Sequence, residues 1–326
     1  MMLDSCVEFC RGKKNLLAFS AGVDSCALFF LLHKHNIEFD IAIVNYNQRF
    51  ESKDEVAYAH DLAKQYGKKI YTKNYINSSF SEKDARDFRY DFFDHIISTH
   101  HYDTLLTAHQ LNDQFEWLLM QFSKGAGLIE LLGLHPLEVK EKYTLIRPLL
   151  HCAKEDLLNY LAQHKLKYFV DQSNQDPQFT RNKIRSTYSD TFLDQFKQGV
   201  QQSFEYLRND YNSLMQGGFL VNRFEDLSIY KYNGDQNIAL RLIDQELKQR
   251  GVLISAKMRK EICEQKQLTI SHKIVVALEK NKIFIAPSCS AVMPKLFKEK
   301  CRLNNIPKNI RPYVFQNNIN IDEIAE

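Results

Sequence analysis

Ser20-Ala21-Gly22-Val23-Asp24-Ser25 joins a short apolar run, residues 15–19, to a longer one, residues 26–35. The first has the length of a buried strand. The second is apolar on most faces, as a helix enclosed by a core must be. Between them, small residues let backbone N–H groups come close to a phosphate. The N-terminus of the following helix adds partial positive charge, and the hydroxyls of Ser20 and Ser25 can donate to phosphate oxygens. All six residues are therefore expected to bind phosphate. No lysine follows, so this is not the GxxxxGK(S/T) loop, and it is not GxGxxG. Ala21 keeps the backbone accessible if its φ is negative; a positive φ is costly for alanine. A serine- and glycine-rich helix cap without a ligand is the plain alternative. The position straight after a first strand weighs against it.

Outward from this loop the pattern alternates. Residues 41–45 read as a second strand. Ser52 with Glu55 three residues on makes a capping-box pattern. Val56, Ala59, Ala63 and Tyr66 then repeat at helical spacing up to Gly67, a stop signal. Residues 69–75 read as a strand, 82–98 as a helix, 104–108 as a fourth strand and 112–124 as a helix ended by Gly125 and Gly127. This alternation predicts an α/β fold, a doubly wound parallel sheet with helices on both faces. Ligands of such sheets sit outside the carboxyl ends of the strands. That rule points to the turns after Phe19, Asn45 and His109.

The third of these turns is His109-Gln110-Leu111-Asn112-Asp113-Gln114-Phe115-Glu116. Asn112 suits a helix N-cap. Asp113 and Glu116, three apart, share one face of the first turn. A carboxylate facing a phosphate loop is well placed to hold Mg²⁺, so Asp24, Asp113 and Glu116 are the expected metal ligands. The bland reading is that the two helix carboxylates only complement the helix dipole, and that His109 is an ordinary turn histidine. Arg86, Arg89, Arg181 and Arg185 are candidates to grip phosphates of a nucleotide or of RNA. Arg181 and Arg185 are four apart and would share a helical face.

The second half differs. Leu193, Phe196, Val200, Leu207, Tyr211 and Leu214 suggest a long amphipathic helix over about 191–215. Residues 238–250 and 256–265 read as a helical pair, and 274–278 and 282–286 as two strands joined by a turn. The tail over 294–311 is basic, with Lys295, Lys298, Lys300, Arg302, Lys308 and Arg311. A boundary near residue 190 divides a catalytic domain, 1–190, from a smaller mixed α/β domain, 191–326.

Residues 20–25 resemble the SGGxDS signature of the PP-loop ATP pyrophosphatases, with Ala21 in a glycine's place. Thr107-Ala108-His109, Asn112-Asp113-Gln114, Glu116, Gly125, Gly127, Leu128, Leu131 and Gly133 resemble the TAHHxDDQxET…RGxGxxGLxG run of tRNA(Ile)-lysidine synthases. Arg147-Pro148-Leu149-Leu150 matches that family's RPLL element, and Ala85-Arg86 with Arg89-Tyr90 its ARxxRY element. Asp171, Ser173, Asn174, Asp176, Arg181, Asn182 and Arg185 match its DxSNxD…RNxIR element. The likeness covers roughly residues 15 to 190. Gln110 replaces the second histidine and Asn112 the first aspartate. Of the NHGLR element only Asn45 and Arg49 remain, with Tyr46 at the histidine.

The resemblance implies a reaction. The C2 oxygen of cytidine 34, in a tRNA(Ile) with a CAU anticodon, attacks the α-phosphate of ATP and pyrophosphate leaves. The ε-amine of free L-lysine then attacks C2 and AMP departs. It implies catalytic roles for Asp24, Asp113 and His109, with ATP and Mg²⁺ as cofactors, and a C-terminal domain that binds tRNA. Which carboxylate meets lysine and which the metal stays open among Asp24, Asp113 and Glu116. The rivals are another PP-loop tRNA-modifying enzyme and a non-catalytic RNA- or nucleotide-binding protein of this fold.

Bulk properties narrow the field. At 44% hydrophobic and 25% charged residues the chain reads as a globular protein with ordinary cores. A net charge of +3 neither demands nor excludes a nucleic-acid partner. Seven cysteines without a C-x-x-C pair disfavour zinc, iron–sulfur and disulfide frameworks and fit a reducing cytoplasm. Asp4 and Glu8 interrupt any signal peptide, and the longest apolar run, 26–32, is too short to span a membrane.

Overall fold

In the computed structural model, which describes residues 2–46, 52–75, 82–170 and 183–325, alternation along the strands builds two cores around one sheet. Strand β1 (Asn15–Phe19) sends Leu17 and Phe19 to one face and Leu16 to the other. Strand β2 (Phe39–Asn45) does likewise with Ile41 and Ile43 against Ala42. Successive side chains of a strand point to opposite faces, so a sheet covered on both sides must be apolar at almost every position. Helices α1 (Asp4–Cys10), α2 (Val23–Lys34) and α3 (Ser52–Gln65) contribute to the first core. Helix α4 (Glu82–His100) fills the second with Phe92, Phe93, Ile96 and Ile97. In α2 every residue from Ser25 to Leu32 is buried, which explains why no polar face shows in its sequence.

The strand order is β3-β2-β1-β4-β6-β5, with β3 Ile70–Asn74, β4 Thr104–Leu106, β5 Leu137–Val139 and β6 Thr144–Ile146. Five strands run parallel; β5 pairs antiparallel with β6 at the edge. The fold is thus the doubly wound α/β sheet expected, with an edge hairpin that the sequence did not reveal. From β1 the order runs through β2 and β3 on one side and β4 on the other. The β1–β4 gap is therefore the switch point, where the turns after both strands open into a crevice.

Helices α5 (Leu111–Phe122), α6 (Leu128–Leu132) and α7 (Lys154–Gln163) follow β4 and β6. A π-helical segment, Arg185–Ser189, leads into α8 (Asp190–Met215). The chain divides into units Met1–Arg208 and Asn209–Glu326. This division falls inside α8. The reason is packing: Lys197 pairs with Asp156 at 2.8 Å, Gln201 donates to the His151 carbonyl at 2.7 Å and Arg208 donates to Gln114 at 2.8 Å. A kink at Phe196 (φ −124°, ψ 21°) shifts the helical phase. Leu193, Val200 and Phe204 are buried, whereas Phe196 and Leu214 are exposed.

The second unit is built on an antiparallel sheet ordered β7-β8-β11-β10-β9. Its strands are β7 (Gly218–Phe224), β8 (Leu227–Tyr232), β9 (Gln267–Ile270), β10 (Ile274–Glu279) and β11 (Lys282–Pro287). Val275, Ala277, Phe284 and Ala286 face one core with α11 (Lys295–Leu303), α12 (Arg311–Gln316) and α13 (Ile321–Ala325). Ile274, Val276, Ile283 and Ile285 face another with α9 (Gln236–Gln249) and α10 (Ala256–Gln265). Among the described residues no helix is long and apolar enough to cross a membrane.

Candidate active site

The turn after β1 is tied from within. The Ser20 amide donates to Ser25 Oγ at 3.2 Å, the two hydroxyls lie 3.1 Å apart, and Ser25 Oγ donates to the Gly22 carbonyl at 3.2 Å. Gly22 caps α2 with no side-chain hydrogen bond. The first amides of an α-helix have no partner within it, so this end is left to an anion. Ala21 is the exception to expectation: its φ is +59°, not negative. Its carbonyl is fixed by the Phe169 amide at 2.9 Å and Cys26 Sγ at 3.3 Å. These contacts hold alanine in a conformation costing roughly 1–2 kcal/mol, where glycine would sit without strain.

The turn after β4 faces it. His109 Nδ1 lies 2.9 Å from Thr107 Oγ1. Helix α5 begins one residue before the expected start, with Gln110 rather than Asn112 as its N-cap. Gln110 is extended (φ −130°), and its side chain accepts from the Asn112 amide at 2.6 Å. Asp113 in return accepts from the Gln110 amide at 3.0 Å. Asn112 lies one turn position inside, buried, and bridges two other segments. Its Nδ2 donates to Asp190 at 3.0 Å and its Oδ1 accepts from the Lys154 amide at 3.1 Å. Two departures from the family pattern thus have structural work to do.

Between the two turns lies a cleft of about 640 Å³, in the range of small-ligand sites. It is lined by Ser20, Gly22, Val23, Asp24 and Ser25 on one side and Thr107, Ala108, His109 and Asp113 on the other. Tyr46, Arg89, Tyr90, Lys154, Arg185 and Asp190 complete it. Asp24 Oδ1 is buried there without a hydrogen-bond partner. Burial, followed by repulsion from Asp113, pushes the Asp24 carboxyl up to about 7. Lys154 and Arg185 oppose that rise.

A partnerless buried carboxylate oxygen fits a magnesium ion, which takes one or two protein carboxylates and completes its shell with phosphates and water. Asp24 and Asp113 suit that role. Glu116 does not. Arg185 Nε and Nη2 clasp both its oxygens at 2.6 and 3.0 Å, and it is fully buried. Among the described residues no group of three or more metal-ligating side chains converges. Arg185 is accordingly committed to Glu116, with Asp113 Oδ1 3.9 Å away, rather than poised for an outside phosphate. Of the other arginines, Arg89 lines the cleft next to Tyr46, whose hydroxyl donates to the Ala85 carbonyl at 3.4 Å. Arg86 is exposed and stacks over Tyr90 at 5.3 Å, outside the lining. Arg181 and the motif residues 47–49 and 171–182 lie outside the described residues. Arg147 and the leucines after it are buried; Arg147 bonds the His135 carbonyl and Glu138, a structural place.

Sequence reasoning missed Lys154 and Asp190. A signal existed for the first: lysine in the first turn of a helix opposes the dipole, and here Asp156 accepts from the Ala153 amide to cap that turn.

A family model described as a PP-loop domain matches residues 3–190. The tRNA(Ile)-lysidine synthase of Campylobacter jejuni strain RM1221 is 39% identical over 326 residues, covering 99% of this chain and 98% of that one. That of Wolinella succinogenes is 40% identical over 94% of each chain. That of Helicobacter pylori strain 26695 is 40% identical over 93% of this chain and 89% of its own. Among solved structures, the U34-tRNA thiolase NcsA of Methanococcus maripaludis superposes with a TM-score of 0.51 at 17% identity. It covers 63% of this chain and 77% of that one, a likeness of fold alone.

Proposed function

The chain belongs to the tRNA(Ile)-lysidine synthase family of PP-loop enzymes, and from that premise we propose that it ligates free L-lysine to C2 of cytidine 34 in the CAU anticodon of tRNA(Ile), at the expense of ATP. The C2 oxygen attacks the α-phosphate and the bond to the β-phosphate breaks. Pyrophosphate leaves with concentrated charge, which donors aimed at it must stabilise. The amides of residues 22–25 and the α2 N-terminus are those donors, with Lys154 as the nearby cation. A Mg²⁺ ion held by Asp24 and Asp113 would neutralise further phosphate charge. The lysine ε-amine then attacks C2, AMP departs with the original oxygen, and the amine gives up its proton. Asp113 and His109, on the β4 side, are the groups we assign to that proton.

The observation that carries this reading is the meeting, at the switch point, of an uncapped helix end with the partnerless Asp24 Oδ1. The base must leave the anticodon stack to reach it, and Tyr46 and Tyr90 offer aromatic faces in the cleft. In the second unit a concavity of about 500 Å³ is lined by Lys298, Lys308 and Arg311, which supports a phosphate-binding role there. A cytoplasmic location follows from the substrates. Incubation with ATP, lysine and CAU tRNA should release pyrophosphate and AMP in equal amounts. Pyrophosphate without any dependence on lysine or this tRNA would point to a different PP-loop reaction.

A further inference from the structure

We propose that Asp190 binds the α-ammonium group of the lysine substrate and that Asn112 is the positioning residue that aims it. The inference rests on the ligase reading above, which supplies the cationic substrate. Its structural basis is the bridge at Asn112. One arm of this buried amide must accept, because the Lys154 backbone N–H points at it from 3.1 Å. The other arm must donate, because a carboxylate oxygen of Asp190 stands 3.0 Å away. Only an amide satisfies both; a carboxylate would set two acceptors against each other. The pair thus fixes the orientation of Asn112 and holds one oxygen of Asp190.

The second oxygen of Asp190 has no hydrogen-bond partner among the described residues, and Asp190 lines the cleft. A carboxylate held by one oxygen and open at the other is a receptor for a cation. Its place favours the non-reacting end of lysine. Asp190 opens α8, whereas the phosphate loop follows β1 and His109 and Asp113 belong to the turn after β4, so Asp190 enters the cleft on a third segment of its wall. The ε-amine must lose its proton near the reacting base, whereas the α-amine keeps its own and needs a permanent counter-charge. The same bridge accounts for Asn112 where the family pattern has aspartate: the negative charge is carried by Asp190 instead.

The test is steady-state kinetics of the full chain with CAU tRNA, comparing lysine with 6-aminohexanoate, which lacks the α-ammonium. Wild type should prefer lysine by at least about ten-fold in kcat/KM, and Asp190→Asn should raise the KM for lysine about ten-fold or more with the KM for ATP unchanged. Discrimination between the two amines should largely vanish in that variant. Asn112→Asp sets two carboxylates against each other, releases the hold on Asp190 and should raise the KM for lysine with the KM for ATP unchanged. If Asp190→Asn proves unstable, Asp190→Ser removes the charge with a smaller side chain that can still accept from Asn112, and should raise the KM for lysine likewise with the KM for ATP unchanged. Unchanged discrimination in Asp190→Asn, or an unchanged KM for lysine in Asn112→Asp, overturns the inference. Failure of the ligase reading is distinct, since wild type would then form no lysine-dependent AMP.

Discussion

Asp24 is the carboxyl of the cleft left least satisfied by its surroundings. Its Oδ1 has no partner and burial pushes it from 3.8 up to about 7. A raised carboxyl holds its proton in the folded protein after losing it in the unfolded chain. Stability is therefore expected to fall as pH rises from about 4 to about 7, with the full penalty above that. Asp24→Asn should raise the melting temperature more at about pH 8 than at about pH 5, as differential scanning calorimetry would read. It should also lower the adenylation rate tens-fold or more. In the wild type kcat/KM for ATP should climb with pH through about 7, and the variant should lose that limb. A variant with a wild-type rate and pH profile would remove Asp24 from the site. Ala21 makes a second point at this scale. Its identity was legible as a departure, but its φ of +59° was not, because the sign is set by Phe169 and Cys26, which hold its carbonyl.

Among the elements, the buried Glu116–Arg185 pair pins the π-helical segment before α8 onto α5, with side-chain exposures of 1% and 20%. Removing one partner of such a pair leaves a charge buried alone, at a cost of about 3–5 kcal/mol. Arg185→Ala is therefore expected to lose that much stability in urea melts, with little dependence on salt. A loss under about 1 kcal/mol, or one that salt abolishes, would mean that the pair behaves as a solvent-exposed one. Strands β1, β2 and β4 and helix α2 were legible as buried apolar runs and α3 by its helical spacing, whereas β3, largely exposed, was legible from its place between two helices. β5 and β6 were not, because they are short, only partly buried and paired with each other across the loop between them and, through β6, with β4. The β10–β11 hairpin was readable since both faces of it are buried. In β7, Phe219 and Leu220 are exposed in succession, so no apolar/polar alternation marks it.

At the scale of the molecule, the strand order is what makes the loop a site. Residues 20–25 and 107–113 are far apart in the chain, and the β1–β4 neighbourhood brings their turns to one cleft. The loop and His109-to-Asp113 turn could be found from motifs. Asp190 could not, since it resembles an ordinary helix-start acid until the fold carries it to the cleft, and Lys154 offered only the weak signal of a cation at a helix start. The account holds that ATP is split there to activate one base of one tRNA. Mass analysis of a CAU-anticodon tRNA(Ile), digested after incubation with this protein, ATP and lysine, tests that most directly. The account predicts that cytidine 34 alone gains one lysyl group, and only when both ATP and lysine are present. An unmodified cytidine 34 from a protein that still binds ATP would contradict it.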